Sequence, residues 1–131
     1  MCKTIKQKVH FKAVPEVIYS LLTDSKKYAA LTGKKANIGK KAGASFSVYG
    51  GQATGIIVEL VRNKRIVQAW QGHSFPDGIF SMATFNLKPS KTGTELVLIH
   101  RGVPKEMIPA IENGWRKYNW DPIKIYLEKQ K

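Results

Sequence analysis

The segment "IENGWRKYNWDPIKIYL", residues 111–127, constrains the fold more than any other part of the chain. Its spacing is helical, yet Gly114 and Pro122 stand among its large aromatic side chains. A glycine inside a helix costs about 1 kcal/mol and a proline about 3 kcal/mol. We therefore expect a helix shaped to lie against a curved surface. Gly114 would let its backbone approach that surface, and Pro122 would kink the helix or restart it with Asp121 as cap.

The large side chains give this helix a broad apolar face. With a step of about 100° per residue from Met107, one set of positions falls within about 120°. That set is Ile111, Gly114, Trp115, Tyr118, Pro122, Ile125 and Tyr126. Trp120 and Leu127 lie roughly opposite, which predicts a second contact for the helix.

The first quarter of the chain predicts a strand and two short helices. Apolar and polar residues alternate over residues 3–12, which is typical of a strand with one solvated face. Pro15 suits the first turn of a helix, and either Thr23 or Asp24 can cap the next one.

Residues 34–101 predict about six further strands, because short apolar runs alternate there with turns. The pair Asn63-Lys64 between two such runs indicates a hairpin. With the long helix at the end, the chain predicts an α+β fold in one domain, residues 1–131. Its antiparallel sheet of about six or seven strands twists, so we expect the sheet to curve around the helix.

The charge of the chain is strongly positive but poor in arginine. The 22 Lys and Arg residues against 9 Asp and Glu residues give +13, and only Arg62, Arg65, Arg101 and Arg116 are arginines. Specific readers of phosphates and bases depend on the planar arginine fork. We therefore expect a solvated lysine surface, with an acidic protein as a second interpretation and nucleic acid as a distant one.

Other features narrow the compartment. Cys2 is the single cysteine, so no internal disulfide forms, which favours a reducing environment. The start of the chain lacks the apolar core of a signal peptide, and no apolar run is long enough to span a bilayer. These features predict a cytoplasmic protein without a membrane span.

Catalytic and metal-binding signals are weak. Neither H-x-x-x-H nor C-x-x-C spacing occurs, so we expect no metal and no cofactor. Among the three histidines, only His100 has strand parity with Leu96 and Leu98, which suggests the inner side of the sheet. It would orient a ligand or act as a base there, unless it is a core histidine bonded to a backbone or tyrosine partner. An enzyme is the less favoured interpretation.

Three stretches carry a resemblance to a known superfamily: "VPEVIYSLLTD" after the first strand, "GTELVLIHRGVP" in the last strand, and Trp115, Tyr118, Trp120, Pro122 and Tyr126 in the helix. In these and in element order the chain resembles the START-like (SRPBCC) helix-grip superfamily. It is most similar to stand-alone homologues of the C-terminal domain of the ATPase activator of the ninety-kilodalton heat-shock chaperone. The resemblance implies a seven-stranded sheet that grips the helix around an apolar pocket. Some members bind hydrophobic molecules, some are enzymes, and some are co-chaperone domains.

The candidate pocket residues come from strand parity and helical spacing. Because Glu59 should face solvent, Ile56 and Val58 are expected to face inward; Trp70 is included although its face is left open. The full candidate set is Ile56, Val58, Trp70, Phe85, Leu98, His100, Met107, Ile111, Trp115 and Tyr118. The alternative is that these side chains pack together as core.

Two functions remain ahead of the others. The first is the binding of a hydrophobic small molecule between sheet and helix, with His100 and the Tyr118 hydroxyl as its polar groups. The alternative is a co-chaperone-type interaction module that uses its basic surface, and it predicts a closed, filled core. An aromatase- or cyclase-type enzyme would need an acid–base pair inside the pocket, for which only His100 is available.

Overall fold

The structure is a computed structural model that describes residues 2–130. One antiparallel sheet holds all seven strands in the order β1-β7-β6-β5-β4-β3-β2. The strands are β1 (Cys2–Phe11), β2 (Asn37–Ile38), β3 (Ser45–Val48), β4 (Ala53–Val61), β5 (Arg65–Gly72), β6 (Ser81–Ser90) and β7 (Gly93–Pro104). The sheet curves around the C-terminal helical segment, so the predicted α+β helix-grip class is confirmed.

Four α-helices lie on the concave side of the sheet. They are α1 (Pro15–Thr23), α2 (Ser25–Thr32), α3 (Ile108–Trp115) and α4 (Asp121–Lys129). A π-helical turn, Arg116–Trp120, joins α3 to α4 without a break in helical backbone. Within residues 2–130, no helix has the length and apolar character needed to cross a membrane.

Local signals read from the sequence are found where they were expected. Pro15 occupies the first turn of α1, and Asp24 caps α2 by accepting the Lys27 N–H at 3.0 Å. Asn63, with φ of 63°, turns the chain from β4 into β5. Lys6 and Lys8 of β1 are exposed, as strand alternation predicted.

The predicted inward direction of Ile56 and Val58 is wrong. Ile57 is the buried residue, while Ile56 and Val58 are 48% and 46% exposed on the outer face. The register with β5 shifts between Ile57 and Glu59, which leaves Val58 as the extra residue of a bulge. Glu59 does face outward, but alternation counted back from it fails because the bulge inverts the parity.

The predicted helix face is rotated after Trp115. Trp120 and Ile123 are buried against the sheet, whereas Tyr118 and Ile125 are 51% and 55% exposed. A π-turn takes one residue more than an α-turn, so every later side chain is carried around the axis. Trp120 therefore does not lie opposite Trp115; the two rings stack at 5.8 Å.

The explanations offered for Gly114 and Pro122 also need correction. A Cβ at Gly114 would meet only Tyr118, at 3.8 Å, so this glycine does not serve close approach to the sheet. Pro122 lies in the first turn of α4, directly after the π-turn, and Asp121 is helical instead of capping a new helix. The wider turn is the local distortion that accommodates the proline.

One inward polar residue of β1 ties the sheet to the helix. Gln7 accepts the Trp120 indole N–H at 2.6 Å and donates to the Glu112 carbonyl at 3.0 Å. Both ends of its amide are thus bonded to the helical segment. This pairing explains why a glutamine occupies a position between the buried residues Ile5 and Val9.

Candidate functional site

An open cleft lies between α3 and the strand end formed by β4 and β5. Its volume is about 250 Å³, and its floor is the face of Trp70 and Trp115. The rest of the lining comprises Tyr49, Gln52, Ala53, Gly72, His73, Ser74, Phe75, Met107, Ala110, Ile111, Gly114 and Tyr118. No carboxylate, lysine or arginine of residues 2–130 lines it, so it suits an apolar, uncharged group.

Behind Trp70 and Trp115 the space between sheet and helix is filled with aromatic rings. Phe85 packs edge-on against two tryptophans: its ring centroid lies 5.5 Å from that of Trp115 and 6.3 Å from that of Trp120. The void left among these side chains measures about 20 Å³, roughly the room that one water needs. We call this packed region the closed end, in contrast to the cleft.

His100 is completely buried in the closed end, and both of its ring nitrogens are engaged. The Trp115 indole can only donate, so its 3.1 Å bond makes Nδ1 of His100 an acceptor. Nε2 therefore carries the proton and donates to Ser81 Oγ at 2.7 Å. Ser81 in turn donates to the Trp70 carbonyl at 2.9 Å. This hydrogen-bond chain has a donor for every acceptor.

Burial lowers the pKa of His100 from 6.5 to about 4, because the apolar surroundings disfavour the imidazolium. The ring is therefore neutral near pH 7, in the single tautomer that its neighbours require. With both nitrogens bonded inside the core, His100 is a core histidine whose partners are a tryptophan and a serine. It does not supply a base or a ligand contact to the cleft.

A second buried polar cluster lies beside the cleft. The hydroxyls of Tyr28 and Tyr49 are 2.7 Å apart, and both contact Oδ1 of Asn119. Asn119 belongs to the π-turn, which carries its side chain inward. Tyr49 holds a φ of 55° in the turn between β3 and β4, and its ring forms part of the cleft wall.

This tyrosine cluster is less completely bonded than the histidine chain. Burial raises the pKa of both Tyr28 and Tyr49 above the ordinary value, so both hydroxyls stay protonated at neutral pH. Nδ2 of Asn119 is buried without a partner among residues 2–130. An unpaired buried amide group costs about 1–3 kcal/mol, so the cluster lowers stability where the histidine chain does not.

The predicted site residues separate into three groups. Half of them line the cleft: Trp70, Met107, Ile111, Trp115 and Tyr118. A second group, Phe85, Leu98 and His100, is buried in the closed end. The third group, Ile56 and Val58, lies on the opposite side of the sheet.

Nine of the fourteen lining residues were not predicted from the sequence, and they include the large side chains of Phe75 and Tyr49. Phe75 is buried although it belongs to the loop "HSFPDGIFS", and its ring meets Trp70 edge-on at 5.6 Å. A large aromatic among turn residues is the signal that could have identified it. Tyr49 precedes two glycines, and nothing in that pattern shows that its ring turns inward.

The sequence matches a known protein family and several of its members. The sequence model of the family described as "Activator of Hsp90 ATPase homolog 1-like protein" matches residues 12–128. The human activator of 90 kDa heat shock protein ATPase homolog 1 is 31% identical over 123 residues, which cover 94% of this chain and 36% of the human protein. A Dictyostelium discoideum homologue is 28% identical over 123 residues, covering 93% of this chain and 32% of that protein. The chain thus spans about a third of the length of these relatives.

Among solved structures, an HSP90 activator from Plasmodium falciparum superposes with a TM-score of 0.86 at 24% identity. The alignment covers 98% of this chain and 96% of that one. At this identity the likeness demonstrates the shared helix-grip fold.

Proposed function

Because the chain belongs to the Activator of Hsp90 ATPase homolog 1-like family, we propose that it is a protein-interaction module that binds a chaperone of the 90 kDa heat-shock class. The curated relatives are named as activators of that chaperone's ATPase. The proposal takes the basic surface of this chain as the side that meets an acidic partner. It keeps the cytoplasm as the place of encounter, as the lone cysteine predicts.

The observation that favours this function is the closed end. A carrier of hydrophobic molecules needs a deep cavity, and ligand pockets usually measure about 300–1,000 Å³. Here tryptophan and phenylalanine rings fill the inner part of that space, and the cleft outside them measures about 250 Å³. A filled core is what the co-chaperone interpretation requires.

Titration calorimetry with a purified 90 kDa heat-shock chaperone tests the proposal. We expect saturable binding whose affinity falls as ionic strength rises from 50 to 300 mM, because exposed charges are screened. A parallel assay of the chaperone's ATPase shows whether binding also stimulates turnover. The proposal would be contradicted if calorimetry showed no binding heat and the two proteins did not co-elute in size-exclusion chromatography at any ionic strength.

A second candidate function is supported by the cleft itself. Its lining is nearly all apolar, and Met107 and Ile111 offer flexible contacts beside the rigid Trp70 and Trp115 rings. A small hydrophobic molecule, or one apolar arm of a larger one, would fit there. This is the carrier function expected from the sequence.

Native mass spectrometry of the freshly purified protein, followed by solvent extraction, tests this second function. A discrete apolar adduct is expected, and Gly114→Leu should abolish it by placing a side chain in the cleft. Ala30→Leu, at an exposed position of α2 outside the cleft, is the matched control and should keep the adduct. A clean mass, without uptake from a lipid and metabolite mixture, would remove the carrier function.

A further inference from the structure

The outer face of the sheet carries an apolar row across its central strands. The strand register aligns Ile56 of β4 with Ala69 of β5 and Met82 of β6. Ile56 is 48% exposed and Met82 is 39% exposed, and the helices all lie on the other face. The neighbouring row adds Val67 and Ile99, which are partly exposed and lie on either side of Thr84. We call these two rows the outer stripe.

The outer stripe is not the usual composition of a solvated sheet face. Antiparallel sheets with one face in water normally place polar residues there. Edge strand β1 follows that rule with Lys6 and Lys8, and β6 follows it at Thr84 and Lys88, but the row of Ile56, Ala69 and Met82 does not. The bulge in β4 makes this face still less polar, because it adds Val58 to the exposed apolar side chains. Bulges often re-aim side chains at functional surfaces.

Two cations without a salt bridge border the outer stripe on one side. Arg101 is the cross-strand neighbour of Met82, and Lys6 is the neighbour of Ile99. Neither makes a salt bridge with a carboxylate of residues 2–130. By contrast, Arg65 on the other side pairs with Glu59 at 2.7 Å. The surface therefore combines an apolar centre with free positive charge at one border.

The charge identifies the kind of partner. A second copy of this chain would bring a net charge of +13 and the same free cations to the contact, so self-association is opposed. A partner with carboxylates beside apolar side chains satisfies both halves of the surface. A nucleic acid would satisfy the cations but would leave the apolar row without apolar partners.

We propose that the outer stripe docks an acidic protein segment, with apolar side chains seated on Ile56, Ala69 and Met82 and carboxylates paired with Arg101 and Lys6. This proposal rests on the proposed function in taking a protein as the partner, and it assigns the contact to the convex face of the sheet. It leaves the cleft on the other face free.

Site-specific photo-cross-linking in cells tests the location. A benzoylphenylalanine replaces Met82, which is 39% exposed, in one variant and Ile125 of α4, which is 55% exposed, in the control. We expect adducts from position 82 to exceed those from position 125 at least tenfold and to map to carboxylate-rich protein segments. Equal yields, no protein adduct at position 82, or adducts with RNA or lipid would overturn the proposal.

The identity of the cross-linked protein separates the two proposals. A 90 kDa heat-shock chaperone supports both of them. A different acidic protein supports the outer stripe and contradicts the proposed function. Two double variants, each with the cross-linker at position 82, test the charge pairing. Lys6→Glu with Arg101→Glu should reduce the adduct at least tenfold. The control, Lys117→Glu with Lys124→Glu, should not reduce it. Equal losses in the two pairs would overturn the assigned charge pairing.

Discussion

The closed end and the cleft are two parts of one space between sheet and helix, and they differ in how completely their atoms are partnered. In the closed end, His100 and Ser81 complete a chain of hydrogen bonds from Trp115 to the Trp70 carbonyl. In the cleft, Met107 and Ile111 are only partly buried and face open volume. The same two tryptophans form the boundary between them. Substitutions in the closed end should therefore lower the free energy of unfolding more than substitutions in the cleft.

Trp115→Ala should lower the free energy of unfolding the most. Trp115 borders both regions, but most of its side chain is buried against the closed end. The loss of a buried tryptophan costs about 3–5 kcal/mol, and it also leaves Nδ1 of His100 without a donor. Denaturant unfolding followed by circular dichroism measures the loss. Met107→Ala in the cleft is the control, with an expected cost of about 1 kcal/mol. Equal losses would mean that the cleft is as structural as the closed end.

The pH dependence of stability should reveal the second-largest effect. The pKa of His100 is about 4 in the folded protein and 6.5 when unperturbed, so between these values only the unfolded chain binds the proton. The contribution of His100 is complete above pH 6.5, falls as the pH drops, and levels off below about pH 4. The shift corresponds to about 3 kcal/mol. Denaturant titrations from pH 7.5 to 4 measure it.

Two variants isolate His100 in that titration. His100→Gln removes the titrating group, and its stability should vary less with pH over this interval. His73→Gln, at an exposed position on the cleft rim, should keep the full dependence. If the His100→Gln profile still paralleled the wild-type profile, the acid sensitivity would have another origin.

The fold was predictable from the sequence because its signals are repeated along the chain. Strand alternation, the Asp24 cap and the Asn63 turn each depend on a few neighbouring residues, and all are found in the structure. Six antiparallel strand pairings leave little choice of topology once a long amphipathic helix must be covered. The class of fold thus follows from many weak and mutually consistent signals.

The site was only half predictable, because the bulge placed Ile56 and Val58 on the outer face and because Phe85, Leu98 and His100 face inward but are packed in the closed end. Two single-residue irregularities also changed which other side chains face inward. The bulge at Val58 inverted the parity of Ile56 and Ile57, and the π-turn rotated Trp120 inward and Tyr118 outward. Parity and helical spacing assume a regular repeat, so one extra residue reverses every assignment beyond it. Tertiary packing decides where such a residue is inserted, and no local pattern reports it.

Ser81→Ala sharpens the comparison with a smaller effect. Ser81 is the link between His100 and the Trp70 carbonyl, so its removal leaves the buried Nε2–H of His100 without its partner. We expect a loss of about 1–3 kcal/mol in the free energy of unfolding. Ser74→Ala, an exposed serine on the cleft, should change stability by less than about 0.5 kcal/mol. A neutral Ser81→Ala would mean that the hydrogen-bond chain contributes nothing to the closed end.

Gly114→Ala should give the smallest effect, and its sign should be opposite. Gly114 lies in α3 on the cleft, and an added Cβ would meet only Tyr118, at an ordinary distance of 3.8 Å. The substitution should therefore stabilise the protein by about 0.5–1 kcal/mol, since alanine loses less backbone entropy in a helix. Thermal unfolding measures the gain. A loss of stability would show that the helix needs glycine for its path into the π-turn; a gain would mean that the glycine costs stability where it leaves room in the cleft.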